Sequence, residues 1–176
     1  MAKYKIIGRQ YRNDKCLVCG FNNPFSLNLE FWELENGELA AFSATKEEHQ
    51  SYPGRTHGGM ISALLDETIG RAICIEEPGC WGVTTELSVR FKKPVPLQTT
   101  LLIVGRITRN RSRMFEGSGE IYLPDGTLLA EATGTYLKLK AEQIVDCPKG
   151  ENPVNALNWQ LRPLPDNAPQ FIELPY

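Results

Sequence analysis

The 176-residue sequence has no excess of basic residues and no long hydrophobic run. Its 19 Lys and Arg are offset by 21 Asp and Glu, which gives a net charge of -2, so the electrostatic attraction that drives binding to nucleic-acid phosphates is missing. No apolar stretch approaches the roughly 20 residues that cross a bilayer, and the polar N-terminus does not resemble a signal peptide. We therefore expect a cytoplasmic protein that binds neither nucleic acid nor membrane.

Histidine is scarce, and the number of cysteines is odd. Five cysteines, an odd number in a chain long enough to bury a core, predict reduced thiols rather than a disulfide scaffold. Cys16 and Cys19 have the spacing of half a zinc knuckle, but the other cysteines and the two histidines supply no second pair at metal-ligand spacing. The sequence thus favours a tight turn with two small thiols, and we predict no metal site.

Only one segment has strong helical periodicity. Apolar residues fill most of the surface between Gly59 and Pro78, which predicts a buried helix. Two strands joined by the Asn36-Gly37 turn precede it, and four strands follow between residues 83 and 140. Sequential antiparallel strands need no crossover helices, so we predict an α+β fold with an antiparallel sheet wrapped around one central helix. Its free outer face and edges predict oligomerisation.

We divide the chain into three parts. Residues 1–25 are polar and are expected to form an irregular lead-in that contains the Cys-x-x-Cys turn. Residues 26–147 hold the sheet and the helix. Residues 148–176 are rich in proline and are expected to form an extended arm, ordered only where Trp159, Phe171 and Tyr176 dock on the body or on a neighbour.

The start of the helix and one carboxylate within it carry the chemical signal. Gly58 and Gly59 open the helix after His57, so backbone N–H donors at the positive end of the helix dipole can form an oxyanion hole. Asp66 lies seven residues after Gly59, ~10 Å along the helix axis. A buried carboxylate there lowers the stability of the fold by several kcal/mol unless it is paired or hydrated. A second, antiparallel copy of the helix would bring the two features together. The plainer alternative is a simple Gly-Gly turn and an Asp66 that pairs with Arg71 or a hydroxyl.

The run from His57 to Asp66 resembles the His-Gly-Gly-x6-Asp signature of the PaaI-like hotdog-fold acyl-CoA thioesterases. Residues 83–97 look like the strand that follows the helix in that group, and residues 131–139 look like its final strand. The resemblance covers about residues 25–140. It implies that residues 26–147 are a hotdog thioesterase domain, assembled as a homodimer or homotetramer.

The resemblance also implies hydrolysis of an acyl-CoA thioester to a free carboxylic acid and CoA. Asp66 matches the catalytic carboxylate, acting as general base or as nucleophile, and an ordinary Asp with a pKa of ~3.9 is already ionised at pH 7. Gly58 matches the glycine whose N–H polarises the carbonyl, and Thr84 the hydroxyl that orients water. In this family the glycine and the carboxylate come from different subunits. Glu67 directly follows Asp66 and is the alternative catalytic residue.

CoA is part of the substrate, so no separate cofactor is expected, but its phosphates require local positive charge. The resemblance points to Arg90 and Arg113 as contacts to pantetheine or phosphate, and the basic turn adds Arg111. The full predicted substrate-binding set is His57, Gly59, Arg90, Arg111 and Arg113. The plainer interpretation is that arginines in a hairpin simply face solvent.

Two other functions fit the same fold. A non-catalytic acyl-CoA-binding or regulatory protein would share it, but such a protein gains nothing from a buried carboxylate beside an anionic ligand. A dehydratase acting on acyl thioesters would require a histidine working with a carboxylate, and His57 at the start of the helix is poorly placed for that role.

Overall fold

The computed structural model describes residues 1–164 and 168–176. One long helix, α1 (Gly58–Glu76), packs against an antiparallel sheet. Within the described residues the strand order across the sheet is β4-β7-β6-β5-β3-β2-β1-β8. The strands are β1 (Ala2–Arg9), β2 (Glu30–Leu34), β3 (Leu39–Ala44), β4 (Trp81–Phe91), β5 (Thr100–Asn110), β6 (Met114–Tyr122), β7 (Leu128–Leu139) and β8 (Phe171–Leu174). The predicted α+β architecture, a sheet around one central helix, is confirmed.

Short helical segments complete the secondary structure. A single 3₁₀ turn covers Glu47–His49 before α1, and two one-turn helices, α2 (Ala141–Ile144) and α3 (Pro153–Ala156), follow β7. Among the described residues, no helix has both the length and the apolar character needed to span a membrane.

The helix packs closely against the sheet because glycines line the strands beneath it. Gly105 on β5 and Gly119 on β6 are register partners. A Cβ atom on Gly105 would lie only 2.7 Å from the backbone carbonyl oxygen of Thr68, and one on Gly119 would lie 2.9 Å from the side chain of Ile69. The lack of side chains at these positions therefore lets α1 sit directly on the strands, with Leu64, Leu65 and Ile69 fully buried.

The lead-in is not irregular over its whole length, so that part of the prediction was wrong. Residues 2–9 form β1, which pairs antiparallel with both β2 and β8. Tyr4 and Ile6 face inward while Lys3 and Lys5 are exposed. This alternation is typical of a strand with one buried face, and the many polar residues of the segment obscured it. Residues 13–23 do follow an irregular path around the Cys-x-x-Cys turn.

The C-terminal arm docks on the body at two places. Ile172 and Leu174 of β8 are buried in a cluster on the outer face of the sheet, and the Tyr176 hydroxyl is within hydrogen-bond distance of both Glu38 carboxylate oxygens, at 2.9 and 2.8 Å. Earlier in the arm, Trp159 lies edge-on against Trp81, with ring centroids 4.5 Å apart. Residues 165–167 of the arm lie outside the described residues.

Strand β4 is the end strand on the side of the sheet opposite β8. It pairs with β7 along its length, and within residues 1–164 and 168–176 its other edge has no strand partner. Most of its residues are exposed. A long edge strand with free N–H and C=O groups is a ready surface for pairing with a second chain.

The close approach of α1 gives a stability prediction. Gly105→Ala should lower the free energy of unfolding by about 1–3 kcal/mol, because the added methyl group must push the helix backbone away from the sheet. Gly58→Ala is the control, since a Cβ there would lie 3.5 Å from the Phe91 ring, an ordinary contact. Urea unfolding measures both, and equal stability of the two variants would contradict this account of the packing.

Candidate active site

Asp66 is held by hydroxyl groups from two neighbouring strands. Thr84 on β4 donates a hydrogen bond to Oδ1 of Asp66 at 2.8 Å, and the Tyr136 hydroxyl on β7 lies 3.2 Å from the same oxygen. Thr84 and Tyr136 are register partners, so their side chains leave the sheet on the same side. The pairing shifts between Thr84 and Glu86, and an irregularity of this kind re-aims side chains next to a functional site.

The environment of Asp66 makes it a stronger base than an ordinary aspartate. Partial burial raises the pKa of its carboxyl, while the hydrogen bonds from Thr84 and Tyr136 oppose that rise and the nearby Glu67 adds to it. The sequence-based assumption of an ordinary pKa was therefore wrong. Burial and the Asp66 charge raise the pKa of Tyr136 as well, so its hydroxyl stays protonated and remains a donor.

These side chains line a cleft of about 190 Å³. Asp66, Thr84 and Tyr136 form its polar wall, and Trp81 and Trp159 form an aromatic wall. Trp159 comes from the C-terminal arm, far along the chain from α1. The cleft can therefore place an apolar group against the indoles while a polar, reacting group faces the carboxylate.

The start of α1 offers one free backbone donor rather than two. His57 caps the helix, and its Nδ1 accepts a hydrogen bond from the Gly59 N–H at 2.9 Å. The expectation of free donors at both glycines was wrong for this reason. The N–H of Gly58 has no acceptor among residues 1–164 and 168–176. Gly58 lies at the positive end of the helix dipole with the Phe91 ring next to it, so this N–H can bind an oxyanion there.

One chain does not bring the Gly58 donor and the Asp66 carboxylate together. Eight residues separate them, which corresponds to ~12 Å along the helix axis. The helix runs antiparallel to β4, because its start lies beside Phe91 and Asp66 bonds to Thr84. Each chain thus carries the two halves of the candidate site apart from each other, with Gly58 at the start of α1 near the end of β4 and Asp66 in the middle of α1 beside Thr84.

The predicted substrate-binding arginines also lie at two separate places, one near Gly58 and the other near Asp66. Arg90 is at the Phe91 end of β4, with 76% of its side chain exposed and Glu131 3.9 Å away. Arg111 and Arg113 are exposed in the turn between β5 and β6, at the end of the sheet where Thr84 lies. About seven strand residues, or ~23 Å, separate these two ends. A single chain therefore places Arg90 with Gly58, and Arg111 and Arg113 with Asp66.

Glu67 also borders the cleft, but its carboxylate is already paired. It accepts a hydrogen bond from Nε of Arg71 at 2.8 Å. Within the described part of the chain, Asp66 has hydroxyl donors and no cationic partner. An unpaired carboxylate takes up a proton more readily than one held by a guanidinium. The geometry therefore favours Asp66 over Glu67 as the base.

Tyr136 and Trp159 were not predicted from the sequence as site residues. Tyr136 sits in the run that resembles the final strand, but its contact with Asp66 depends on the register between β4 and β7. Trp159 was noted only as a residue that docks the arm. No spacing in the sequence relates either residue to Asp66, since both contacts arise from tertiary pairing.

One other cluster brings together atoms that bind metals. The sulfurs of Cys16 and Cys19 and a carboxylate oxygen of Glu67 all lie within 4.8 Å of one another. However, the Arg71 guanidinium donates to Cys19 and to Glu67, so a cation there would lie against a fixed positive charge. We assign no metal to this cluster.

The hydrogen bond from Thr84 can be tested directly. Thr84→Val keeps the side-chain shape but removes a donor that stabilises the ionised carboxylate, so the Asp66 pKa should rise further. A carbon-detected NMR titration of the carboxyl group measures it. Thr85→Val is the matched control, because Thr85 donates to the Thr135 carbonyl instead and its loss should leave that pKa unchanged. An unchanged or lower pKa in Thr84→Val would show that this bond does not tune Asp66.

Comparisons with known proteins show which families and structures this chain resembles. Residues 53–130 match the model of the thioesterase superfamily. The chain is similar to acyl-coenzyme A thioesterase THEM4 of Mus musculus, with 32% identity over 95 residues, which are 53% of this chain and 40% of that protein. The chain thus spans about two fifths of the length of the THEM4 relatives that it matches.

Solved structures share the fold. A thioesterase superfamily protein aligns with a TM-score of 0.64 at 26% identity over 69% of this chain and 62% of that one. A Streptococcus mutans protein bound to acetyl CoA aligns with a TM-score of 0.57 at 26% identity, over 64% of this chain and 90% of that one. The Escherichia coli PaaI protein aligns with a TM-score of 0.58 at 16% identity, over 64% of this chain and 80% of that one. This similarity supports the fold alone. The chain therefore has the hotdog fold of these structures, and its residues 53–130 resemble the thioesterase superfamily.

Proposed function

We propose that this protein hydrolyses an acyl-CoA thioester to a free carboxylic acid and CoA, at a site shared between two copies of the chain. The observation that carries the proposal is the Asp66 carboxylate, which is partly buried, has no cationic partner in the described residues and is oriented by two hydroxyls. The name of the mouse relative, an acyl-coenzyme A thioesterase, and the acetyl CoA bound to the S. mutans protein support the choice of substrate.

In the proposed reaction, Asp66 removes a proton from a water molecule as that water attacks the thioester carbonyl. The hydroxyls of Thr84 and Tyr136 hold the carboxylate in place and limit the rise of its pKa. The carbonyl oxygen becomes an oxyanion, which the Gly58 N–H of the second copy stabilises together with the helix dipole. The C–S bond then breaks, and the CoA thiolate takes the proton that Asp66 received.

A nucleophilic route uses the same groups. Asp66 would attack the carbonyl carbon itself, release the CoA thiolate and form a mixed anhydride, which water then hydrolyses. Both routes need the carboxylate ionised and the oxyanion stabilised. Incorporation of labelled oxygen from water into Asp66 during a single turnover distinguishes the nucleophilic route from the general-base route.

The proposed homodimer forms through the free edge of β4. An antiparallel pairing of this strand with itself, centred between Leu87 and Ser88, sets Thr84 opposite Phe91 of the second copy, because the two residues are equally far from the centre. Since Phe91 lies beside Gly58, the free N–H of one chain then approaches Asp66 of the other. The same pairing brings Arg90 towards Arg113, so the cationic groups for the CoA phosphates meet at one site.

Removal of the carboxylate charge tests the chemistry. Asp66→Asn should lower kcat by ~10²-fold or more and leave the affinity for CoA esters nearly unchanged, because the amide cannot accept the proton but fills the same space. Thiol release from short, long and aromatic CoA esters measures kcat, and calorimetry measures binding.

Two outcomes would contradict this assignment. Full activity of Asp66→Asn together with loss of activity in Glu67→Gln would identify Glu67 as the base. Tight binding of CoA esters by the wild-type protein with no thiol release from any ester would support a non-catalytic acyl-CoA-binding protein.

A backbone variant tests the shared site. Gly58→Pro removes the N–H, and the position suits proline because it is the first residue of α1 and His57 before it is extended, with ψ of 138°. We expect kcat to fall ~10²- to 10³-fold, whereas Gly58→Ala, which keeps the N–H, should retain most activity.

Mixing the inactive variants then reports on the dimer. After subunit exchange in an equal mixture of Asp66→Asn and Gly58→Pro, about half of the dimers contain one chain of each kind, and each such dimer has one intact site of two. The mixture should therefore recover about a quarter of the wild-type rate. No recovery despite demonstrated subunit exchange would mean that each chain builds its site alone.

A further inference from the structure

The Cys-x-x-Cys turn is held in one conformation by backbone hydrogen bonds. The Cys16 sulfur accepts from the N–H groups of Val18 at 3.3 Å and of Cys19 at 3.4 Å. The Cys16 carbonyl accepts from the Gly20 N–H at 2.9 Å, and a side chain on Gly20 would collide with that carbonyl. The turn therefore presents two N–H donors to one sulfur and keeps both cysteines on the same side.

A buried cation faces the second sulfur. Arg71 is only 7% exposed, and its guanidinium lies between the rings of Phe31 and Trp159, each 4.6 Å away. Its Nη2 donates to the Cys19 sulfur at 3.3 Å, and its Nε donates to Glu67. A permanent positive charge at this distance stabilises a thiolate in the cluster. The thioesterase chemistry proposed above uses neither cysteine.

The two thiols differ in exposure and in acidity. Cys16 is partly exposed, whereas Cys19 is fully buried. The hydrogen bond with Cys19 lowers the pKa of Cys16 to about 6 against the opposing effect of burial, and the same interaction raises the pKa of Cys19. Cys16 is thus the thiolate that an outside reagent meets first, and Cys19 is the protected thiol beside it.

We propose that Cys16 and Cys19 form a peroxide-sensitive thiol pair. The Cys16 thiolate attacks an oxygen of a hydroperoxide, the O–O bond breaks, and Cys16 is oxidised to a sulfenic acid while the peroxide is reduced to an alcohol, or to water for hydrogen peroxide. The Cys19 sulfur then attacks the Cys16 sulfur, an S–S bond forms, and hydroxide leaves and takes up the Cys19 proton as water. Two thiols and one hydroperoxide give one disulfide, one alcohol and one water.

The geometry favours this reaction over metal binding. The two sulfurs and the Glu67 carboxylate converge to within 4.8 Å, but the guanidinium of Arg71 already supplies the positive charge that a metal would bring. A disulfide needs no charge partner. The two sulfurs already lie within 4.8 Å of each other, and the hydrogen bond from the Gly20 N–H to the Cys16 carbonyl closes the backbone of the turn around them.

Peptide mass spectrometry on the folded, full-length protein tests the proposal. The reduced protein is treated with a small excess of hydrogen peroxide at pH 7, free thiols are alkylated after denaturation, and the chain is cut with trypsin. The peptide of residues 16–46 contains both Cys16 and Cys19 and no other cysteine. It should appear without alkylation and two hydrogens lighter than its reduced form, and dithiothreitol should restore it.

The chain contains its own internal control. The peptide of residues 72–90 carries Cys74 and Cys80, and burial raises the pKa of Cys74 to about 11. This pair should stay reduced under the same treatment. Before oxidation, Cys16 should also react with iodoacetamide at least ~10-fold faster than Cys74 at pH 7, because it is mostly ionised there.

Single variants separate the two roles. Cys19→Ser should prevent the disulfide and leave a sulfenic acid at Cys16 that a dimedone probe traps, whereas Cys16→Ser should abolish both products. Cys147→Ser should behave like the wild type. The proposal is overturned if residues 16–46 stay fully reduced in the folded wild type, if Cys16→Ser leaves the trapped product unchanged, or if the protein binds one zinc per chain that shields Cys16 from peroxide.

Discussion

The close contact between α1 and the strands beneath it is the constraint on which the rest of the structure depends. Gly105 and Gly119 let the helix backbone reach the sheet without intervening side chains. Because the helix is fixed in height and rotation by that contact, Asp66 is carried to the level of Thr84 and Tyr136 rather than into solvent. A helix held one side-chain layer higher would keep its apolar face buried but lose this alignment.

The same placement explains why an unfavourable residue stands in the most apolar helix of the chain. Burial raises the Asp66 pKa, which means that the ionised carboxylate is less stable here than in water. The two hydroxyl donors recover part of that loss without adding a positive charge. A lysine or arginine partner would stabilise the ionised carboxylate more and make it a weaker base. Glu67, the next residue, has such a partner in Arg71. Placing the two carboxylates side by side on one helix gives each a different role because consecutive side chains diverge by ~100°.

The sequence was sufficient for the features that depend on local periodicity. The buried helix, the strands β2 to β7 and the combination of a Gly-Gly helix start with a carboxylate further along can all be read from residues 25–140. The Tyr136 contact depends on how β4 and β7 align, and the docking of Trp159 depends on contacts across more than seventy residues of chain. The strand β1 was not predicted because its many polar residues obscured the alternation, and its pairing with β2 and β8 is not visible in the local sequence. Most of the missed features were decided by long-range pairing, whereas the bond from the Gly59 N–H to His57 is a local contact that the sequence interpretation overlooked.

The aromatic wall of the cleft has an evolutionary consequence. Trp159 belongs to a segment outside the residues 53–130 that match the superfamily, while the carboxylate, the capped helix start and Thr84 lie inside them. Replacement of the C-terminal segment by another sequence would therefore change the shape of the cleft and leave Asp66, Thr84 and the start of α1 in place. Chains that share the same signature can in this way diverge in the shape of this cleft, and the signature alone would give no sign of the difference.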